Sequence, residues 1–136
     1  MTSEGWMVLC EENGESRMDI VFNSSEDEDL IAHNIWENES FKPGFPQRLI
    51  YNYDVREVFP MLVTDKDTYV MDPEDLRAGE DNSLKWRFGI TPDAVHLVAA
   101  NLSMFSVNDR WVVVDDKQDV YGIDKSVFGS VFEYPI

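Results

Sequence analysis

The chain has 136 residues, and 27 acidic against 11 basic side chains give it a formal charge of −16. Its apolar fraction of 43% is too high for a disordered acidic tail, so we expect the acidity to cover a folded surface. Because phosphate groups are held by clustered lysines and arginines, the charge argues against direct contact with nucleic acid or an anionic membrane.

The N-terminal residues predict a β-hairpin. Residues 6–10 are a strand-like apolar run, and Asn13-Gly14 is typical of a two-residue hairpin turn, in which both positions need a positive φ. Residues 17–22 then return as the second strand. The unequal lengths of the two arms leave the register open.

A first helix is predicted over residues 25–39. Ser25 followed by Glu28 matches a capping box, and the acidic residues suit the positive end of the helix dipole. Its apolar side chains, with Ala32 and Trp36 on one face, make the helix amphipathic. We therefore expect it to pack across the hairpin.

The middle of the chain predicts further strands. Residues 48–53 alternate as a strand, and residues 54–59 form a short helix that Pro60 stops. Residues 61–63 and 68–71 flank a polar turn, which indicates a second hairpin.

The region after this hairpin predicts one strand and the central helix. Residues 84–90 alternate apolar and polar side chains, as a half-buried strand does. Thr91 as N-cap then begins a helix over residues 92–105. This helix is apolar on most sides, so we expect it to be the most buried one.

The C-terminal region completes the fold prediction. Residues 111–115 and 120–123 predict a last hairpin, and an aromatic tail follows over residues 125–136. Short turns join most neighbouring strands, which favours antiparallel pairing. We predict one domain, residues 1–136, of the α+β class: an antiparallel β-sheet built from hairpins, with two main α-helices packed on one face.

Few residues offer catalytic chemistry. The chain lacks phosphate-binding glycine motifs and the GxSxG elbow of hydrolases. Cys10 would lie near His33 if the first helix crossed the first strand, but its apolar run favours a core position. His96, inside the predicted central helix, is also interpreted as a core residue. A lone cysteine excludes an intrachain disulfide and fits a cytoplasmic location.

No metal or cofactor site is predicted. Residues 65–67 begin like a calcium-binding loop, but Val70 stands where that loop needs glycine and Leu76 where it needs glutamate. Asp115 and Asp116 end a predicted strand, in which neighbouring side chains point to opposite faces. A role in the hairpin turn is therefore favoured over a shared cation.

The acidic charge is concentrated near the N-terminus. Residues 1–39 hold eleven acids and one base, whereas residues 40–136 hold sixteen acids and ten bases. Such a cluster is either a solubilising surface or a docking face for a cationic partner, and the aromatic residues beside it favour docking. The predicted partner-binding residues are Glu26, Asp27, Glu28, Asp29, Trp36, Glu37, Glu39 and Phe41. Trp36 is also a candidate core residue, because it shares a helix face with Ala32.

These observations predict a non-catalytic binding or inhibitor protein that masks a basic protein surface. Nucleic-acid enzymes are natural targets, because their own sites are basic. In size, acidity and predicted fold the chain resembles immunity proteins that neutralise bacterial nuclease toxins, and also phage-encoded anti-defence proteins that mimic nucleic acid. Two alternatives stay open: a small hydrolase that uses Asp or Glu with His33 or His96, and a structural or regulatory subunit of a larger assembly.

Overall fold

A computed structural model describes residues 5–22, 31–53, 58–88, 92–101 and 110–124. Along these segments run the strands β1 (Gly5–Glu12), β2 (Glu15–Phe22), β3 (Ile31–Ala32), β4 (Pro46–Tyr53), β5 (Val58–Thr64), β6 (Thr68–Val70), β7 (Leu97–Asn101), β8 (Arg110–Asp115) and β9 (Val120–Asp124). Two short 3₁₀ turns, Glu80–Asn82 and Leu84–Arg87, lie between β6 and β7. The strands form three separate antiparallel sheets, in the orders β1-β2-β3, β4-β5-β6 and β7-β8-β9.

A tight turn sets the register of the first sheet. Asn13 and Gly14 have φ values of 55° and 81°, the positive pair that a two-residue hairpin turn needs. Glu12 therefore pairs with Glu15, and every further pair of β1 and β2 follows from that one. Because side chains alternate along a strand, β2 buries one face and leaves the other open.

The middle sheet is covered on both faces. Met61, Leu62, Val63 and Thr64 of β5 are all 0% exposed, although neighbours in a strand point to opposite sides. A strand buried on both faces needs a nearly continuous apolar run instead of an alternating one. The apolar residues of β5 meet that requirement.

The middle sheet thus separates two apolar cores. The first core, towards the first sheet, contains Met18, Ile20, Trp36, Leu62, Met71 and Leu76. The second core, towards the third sheet, contains Met61, Val63, Leu84, Phe88, Val95, Leu97 and Val113. Since adjacent residues of β5 supply different cores, the molecule is built of three β layers.

The predicted α+β class is wrong. The described residues contain no α-helix, only the two 3₁₀ turns, and they form three sheets where one was predicted. The antiparallel hairpins themselves are confirmed. The hairpins predicted within residues 6–22, 61–71 and 111–123 are the strand pairs β1-β2, β5-β6 and β8-β9.

The first predicted helix, over residues 25–39, is absent from its described part. Ile31–Ala32 is β3 and pairs with β2. Asn34 follows with a φ of 46°, and its backbone N–H donates to Asp19 Oδ1 at 2.7 Å. Bonds to a strand that is distant in sequence therefore outweigh the local helix signals. Residues 25–30 lie outside the described residues.

The second predicted helix, over residues 92–105, is also wrong where it is described. Leu97–Asn101 is β7, which pairs with β8, and Leu97 is 0% exposed. An apolar run without a clear period does not distinguish a helix from a buried strand, so pairing with β8 decides the outcome. Residues 102–105 lie outside the described residues.

Two shorter predictions also fail. Residues 84–90 were expected to form a strand, but Leu84–Arg87 is a 3₁₀ turn that the Ser83 side chain caps. Within this segment Leu84 and Phe88 are buried but Trp86 between them is 57% exposed, so the alternating apolar residues do not share one buried face as they would in a strand. The short helix over residues 54–59 is described only at residues 58–59, which belong to β5.

Candidate protein-binding face

The register of the first sheet gathers one set of side chains on its open side. We call this set the outer face: Trp6, Val8, Cys10, Glu12, Glu15, Arg17, Asp19, Val21 and Ile31. The alternate residues, such as Met18 and Ile20, enter the first core. The outer face is therefore the side of the sheet that the core does not use.

One end of the outer face is apolar. Trp6 pairs with Val21, which pairs with Ile31, so three apolar side chains form a row across the sheet. Trp6 is 71% exposed, Ile31 is 44% exposed, and Val8 next to the row is 38% exposed. Large apolar side chains grouped on an open face are typical of a contact surface.

The other end of the outer face is charged and internally bonded. Arg17 donates from Nε and Nη2 to the two oxygens of Asp19, at 3.0 and 3.1 Å. It also donates from Nη1 to Glu12 Oε2 at 3.0 Å. Arg17 is the only lysine or arginine of the face, and carboxylates already hold it. The charge left for a partner is therefore negative.

These bonds shift two pKa values. The hydrogen bond from Arg17, followed by that from the backbone N–H of Asn34, holds the pKa of Asp19 below its usual value. Hydrogen bonds to Asp19 and then Glu12 raise the pKa of Arg17. Each partner favours the charged form of the other, so both groups are ionised at neutral pH.

A hollow of about 220 Å³ opens at the charged end. Carboxylates of Glu12, Glu15 and Glu37 border it, together with Arg17 and Lys42. Glu15 accepts a backbone hydrogen bond at 2.9 Å. Glu37 is exposed and has no ion-pair partner among the described residues. It is the carboxylate of the hollow that a cation from another molecule would meet unopposed.

The structure disperses the predicted partner-binding residues. Trp36 is 7% exposed and donates from Nε1 to Leu76 O at 2.8 Å, which makes it a core residue. Glu39 is held by Arg77 Nε at 3.0 Å. Neither side chain offers the exposed anchor or unpaired charge that docking was expected to use.

Phe41 and Glu37 lie at the edges of concave regions. Phe41 is half-buried, and its ring meets that of Tyr69 edge-on at a centroid distance of 5.1 Å. Glu37 borders the hollow beside the outer face. The other four predicted residues lie outside the described residues: Glu26, Asp27, Glu28 and Asp29.

Sequence reasoning missed Trp6, Val8 and Ile31 as contact residues. The sequence did contain a signal for the exposure of Trp6 and Val8. A two-residue turn at Asn13-Gly14 places the even-numbered residues of β1 on one face with the odd-numbered residues of β2. That face contains most of the charged residues of the two strands, which favours exposure of its apolar members Trp6 and Val8 as well.

Cys10 and His96 are half-buried instead of lying in the core, whereas His33 is exposed. Cys10 was expected in the core, but it is half-buried on the outer face. His33 Nδ1 lies 3.6 Å from Asp19 Oδ2 with 65% of its side chain exposed. His96 Nε2 lies 2.9 Å from Asp65 O. In the His33–Asp19 pair the imidazole is thus largely exposed, whereas the Asp19 side chain is only 13% exposed and is already bonded to Arg17.

No three His, Cys, Asp or Glu side chains within the described ranges converge as a metal-binding group. None of the helical segments described here has the length and apolar character to cross a membrane.

Comparison with known proteins found no family model, no curated protein and no solved structure that matches the chain. Its function must therefore be inferred from the surfaces described above.

Proposed function

We propose that the chain is a non-catalytic binding protein that masks a cationic surface of a partner protein with the outer face of its first sheet. The observation that carries the proposal is the apolar row of exposed Trp6, half-buried Val21 and exposed Ile31 beside a carboxylate-rich network. An aromatic anchor with apolar neighbours and a charged periphery is the usual composition of a protein interface.

The apolar row supports contact through this face in particular. Trp6 is held on a strand whose other side packs into the first core, so its backbone is fixed before any partner arrives. A tryptophan presented on a rigid element loses little conformational freedom on binding. Tryptophan is also among the residues that contribute most to binding energy when a partner buries them.

The charges support a cationic partner. The outer face carries three carboxylates against one guanidinium, within a chain of net charge −16. A field of this sign attracts basic proteins over long distances and repels acidic ones. We expect a lysine or arginine of the partner to enter the hollow beside Glu37.

The combination fits a small cytoplasmic inhibitor. A nuclease or another nucleic-acid-binding enzyme has a basic site, because that site must hold phosphate. Such a site complements both the charge and the apolar row of the outer face. An immunity protein against a nuclease toxin, or a phage anti-defence protein that mimics nucleic acid, requires this kind of surface and no catalytic group.

Capture with matched variants tests the proposal. Wild-type chain, Trp6→Lys and Tyr51→Lys are immobilised and exposed to a lysate of the native host, and the retained proteins are identified. Tyr51 is 54% exposed on β4, so its variant makes the same charge change on an exposed aromatic of another sheet. We expect a protein with a pI above about 9 to be retained by wild type and Tyr51→Lys but not by Trp6→Lys.

Reconstitution with the purified partner completes the test. Trp6→Lys should weaken its binding at least about 30-fold, the loss typical of an interface anchor, while Tyr51→Lys should bind as wild type does. Retention of only neutral or acidic proteins, or equal retention by all three chains, contradicts the proposal. Self-association that Trp6→Lys abolishes in light scattering assigns the face to a second copy and also contradicts it.

A further inference from the structure

A second concave region, which shares Lys42 with the hollow beside the outer face, is a groove of about 880 Å³. Its lysine wall consists of Lys42, from the loop before β4, and Lys66, from the β5–β6 turn. Its tryptophan wall consists of Glu80, Asp81, Lys85, Trp86 and Asp93. Asp67, Tyr69 and Ser83 line it as buried residues and form the floor. The volume is in the range of small-molecule sites, roughly 300–1,000 Å³.

Asp67 holds the floor in place. Its Oδ1 accepts hydrogen bonds from the backbone N–H groups of Thr68 and Val95, at 2.8 and 2.9 Å. Its Oδ2 accepts from Ser83 Oγ at 2.5 Å. The carboxylate thereby connects β6, the second 3₁₀ turn and the segment before β7. A floor fixed by these bonds lowers the entropic cost of binding a ligand.

The Tyr69 side chain brings a hydroxyl group to this floor. Tyr69 is 5% exposed, yet its hydroxyl has no hydrogen-bond partner within the described part of the chain. Burial and then the charge of Asp67 raise the pKa of Tyr69 to about 12, so the proton stays on the oxygen at neutral pH. Buried hydroxyl groups are normally paired, and an acceptor supplied by a ligand would pair this one.

The lysines of the groove are also available. Lys42, Lys66 and Lys85 are three of only 11 basic residues in the chain. None of them forms an ion pair with a carboxylate of the described residues, although acids are in large excess. Among the described residues, Lys66 Nζ donates to Lys42 O at 3.2 Å and Lys85 Nζ donates to Asp93 O at 3.4 Å. The lysine wall therefore presents unpaired positive charge to the groove.

Trp86 is held in one orientation although it is exposed. Its Nε1 donates to Glu80 O at 3.1 Å, and Lys85 Nζ lies 5.0 Å from its ring centroid. With 57% of the residue exposed, this fixed ring is a stacking platform for another ring. The carboxylates of Glu80, Asp81 and Asp93 beside it favour a positive group on the same side of the ligand.

We propose that the groove binds a free aromatic amino acid. The carboxylate of the ligand is held by the lysine wall and the Tyr69 hydroxyl, and its ring stacks on Trp86. Its ammonium group lies towards the carboxylates of the tryptophan wall. A zwitterion with a ring is the smallest ligand that satisfies both walls and the floor together.

Calorimetric titration with four probes tests each part of this assignment. L-phenylalanine carries all three groups, L-phenylalaninamide lacks the carboxylate, N-acetyl-L-phenylalanine lacks the ammonium group, and L-alanine lacks the ring. We expect L-phenylalanine to bind and each of the other three to bind at least tenfold more weakly.

Variants of the chain provide the matching test. Tyr69→Phe removes only the unpaired hydroxyl, so it should weaken L-phenylalanine at least fivefold while the melting temperature stays unchanged or rises. Trp86→Ala, at an exposed position, should weaken it at least tenfold in a folded protein. Lys66→Gln should weaken binding at least threefold, whereas Lys117→Gln, at an exposed lysine of the β8–β9 turn, should not change it.

Several results overturn the proposal. These are no heat of binding with millimolar L-phenylalanine, equal binding of L-alanine, or unchanged affinity in both Tyr69→Phe and Trp86→Ala. Equal binding of N-acetyl-L-phenylalanine also overturns it, because the ligand would then be the C-terminal residue of a peptide. None of these results bears on the outer face, whose test uses other residues and another ligand.

Discussion

The first and middle sheets are both three-stranded antiparallel meanders, yet one is buried on a single face and the other on both. In the first sheet, core residues such as Met18 alternate with charged ones such as Arg17. In the middle sheet, consecutive residues such as Leu62 and Val63 are fully buried in different cores. The same antiparallel pairing therefore gives one sheet with an exposed face and one sheet buried on both faces, because only the middle sheet is packed between two other layers.

The middle sheet therefore supports the fold, whereas the first sheet also presents a face to solvent. In the middle of β5 both faces are close-packed, so a polar or bulkier side chain on either face would destabilise the fold. The outer face of the first sheet can vary without disturbing a core, so its exposed apolar residues are not required for packing. We assign the presence of these exposed apolar residues beside acidic groups to contact with a partner.

The largest expected effect contrasts two tryptophans. Trp36→Ala removes a ring from the first core together with its bond to Leu76 O, and should lower the free energy of unfolding by about 3–5 kcal/mol. Trp6→Ala removes a ring that is 71% exposed and should change it by less than about 0.5 kcal/mol. Urea denaturation followed by circular dichroism measures both.

The same pair should behave in reverse towards the partner. Trp36→Ala should leave the affinity of the folded fraction unchanged, whereas Trp6→Ala should raise the dissociation rate. Equal stability losses in the two variants would contradict the division into a buried and an open face.

A smaller loss is expected at the carboxylate that connects the layers. Asp67→Asn keeps the size of the side chain but removes one of the two acceptor oxygens, which leaves a donor without its bond. It should destabilise the fold by about 2 kcal/mol. Asp93→Asn, the same change at an exposed position, is the control and should have little effect. Similar melting curves for both variants would show that the layers are not connected through Asp67.

Charge reversal should change association rates by about tenfold. Lysine at Asp27, Glu28 and Glu37 together weakens the field that steers a cationic partner, so association should slow more than dissociation accelerates. Reversal of Glu80, Asp81 and Asp116, all exposed, makes the same change in net charge elsewhere. Stopped-flow kinetics at two salt concentrations distinguishes local from global attraction. Association that neither triple variant slows would leave the acidity as a solubility feature.

The smallest effect concerns pH. The pKa of Asp19 is held below its usual value in the fold, chiefly by Arg17. The ionised carboxyl therefore stabilises the fold above the unfolded pKa, near 3.9, and this contribution is lost as pH falls through the lower folded pKa. Asp19→Asn should be less stable than wild type at neutral pH by an amount that shrinks below about pH 4. A difference that does not depend on pH would show that the bonds of Arg17 do not favour the ionised form.

Hairpins were predictable because their signals are local. Asn13-Gly14 has the backbone freedom that a two-residue turn requires, and the turns between Val63 and Thr68 and between Val114 and Val120 are also only a few residues long. The two helices were not predictable. The capping box at Ser25 and the N-cap at Thr91 are local signals too, but strand pairing with β2 and β8 outweighs them in the described parts of both segments.

The two tryptophans considered for partner contact also show which features the sequence predicts and which it does not. Trp36 was placed on a helix beside acidic residues, but the turn that follows β3 directs it into the first core. Trp6 was assigned correctly to a strand, yet its exposure follows from the register together with the layer behind it. The groove could not be predicted, since its walls come from residues about 40 and 85, which only the folding of separate loops brings together.

By itself, the sequence determined the acidity of the surface, the antiparallel hairpins and the pairing of β1 with β2, because these depend on composition and on turns of a few residues. Only the tertiary structure decided that residues 97–101 form a strand, that β5 is buried on both faces, and that Lys42 and Lys66 face Trp86 across a groove. Such features depend on contacts between residues far apart in the chain, and the sequence of a short segment does not specify which distant residues it will contact.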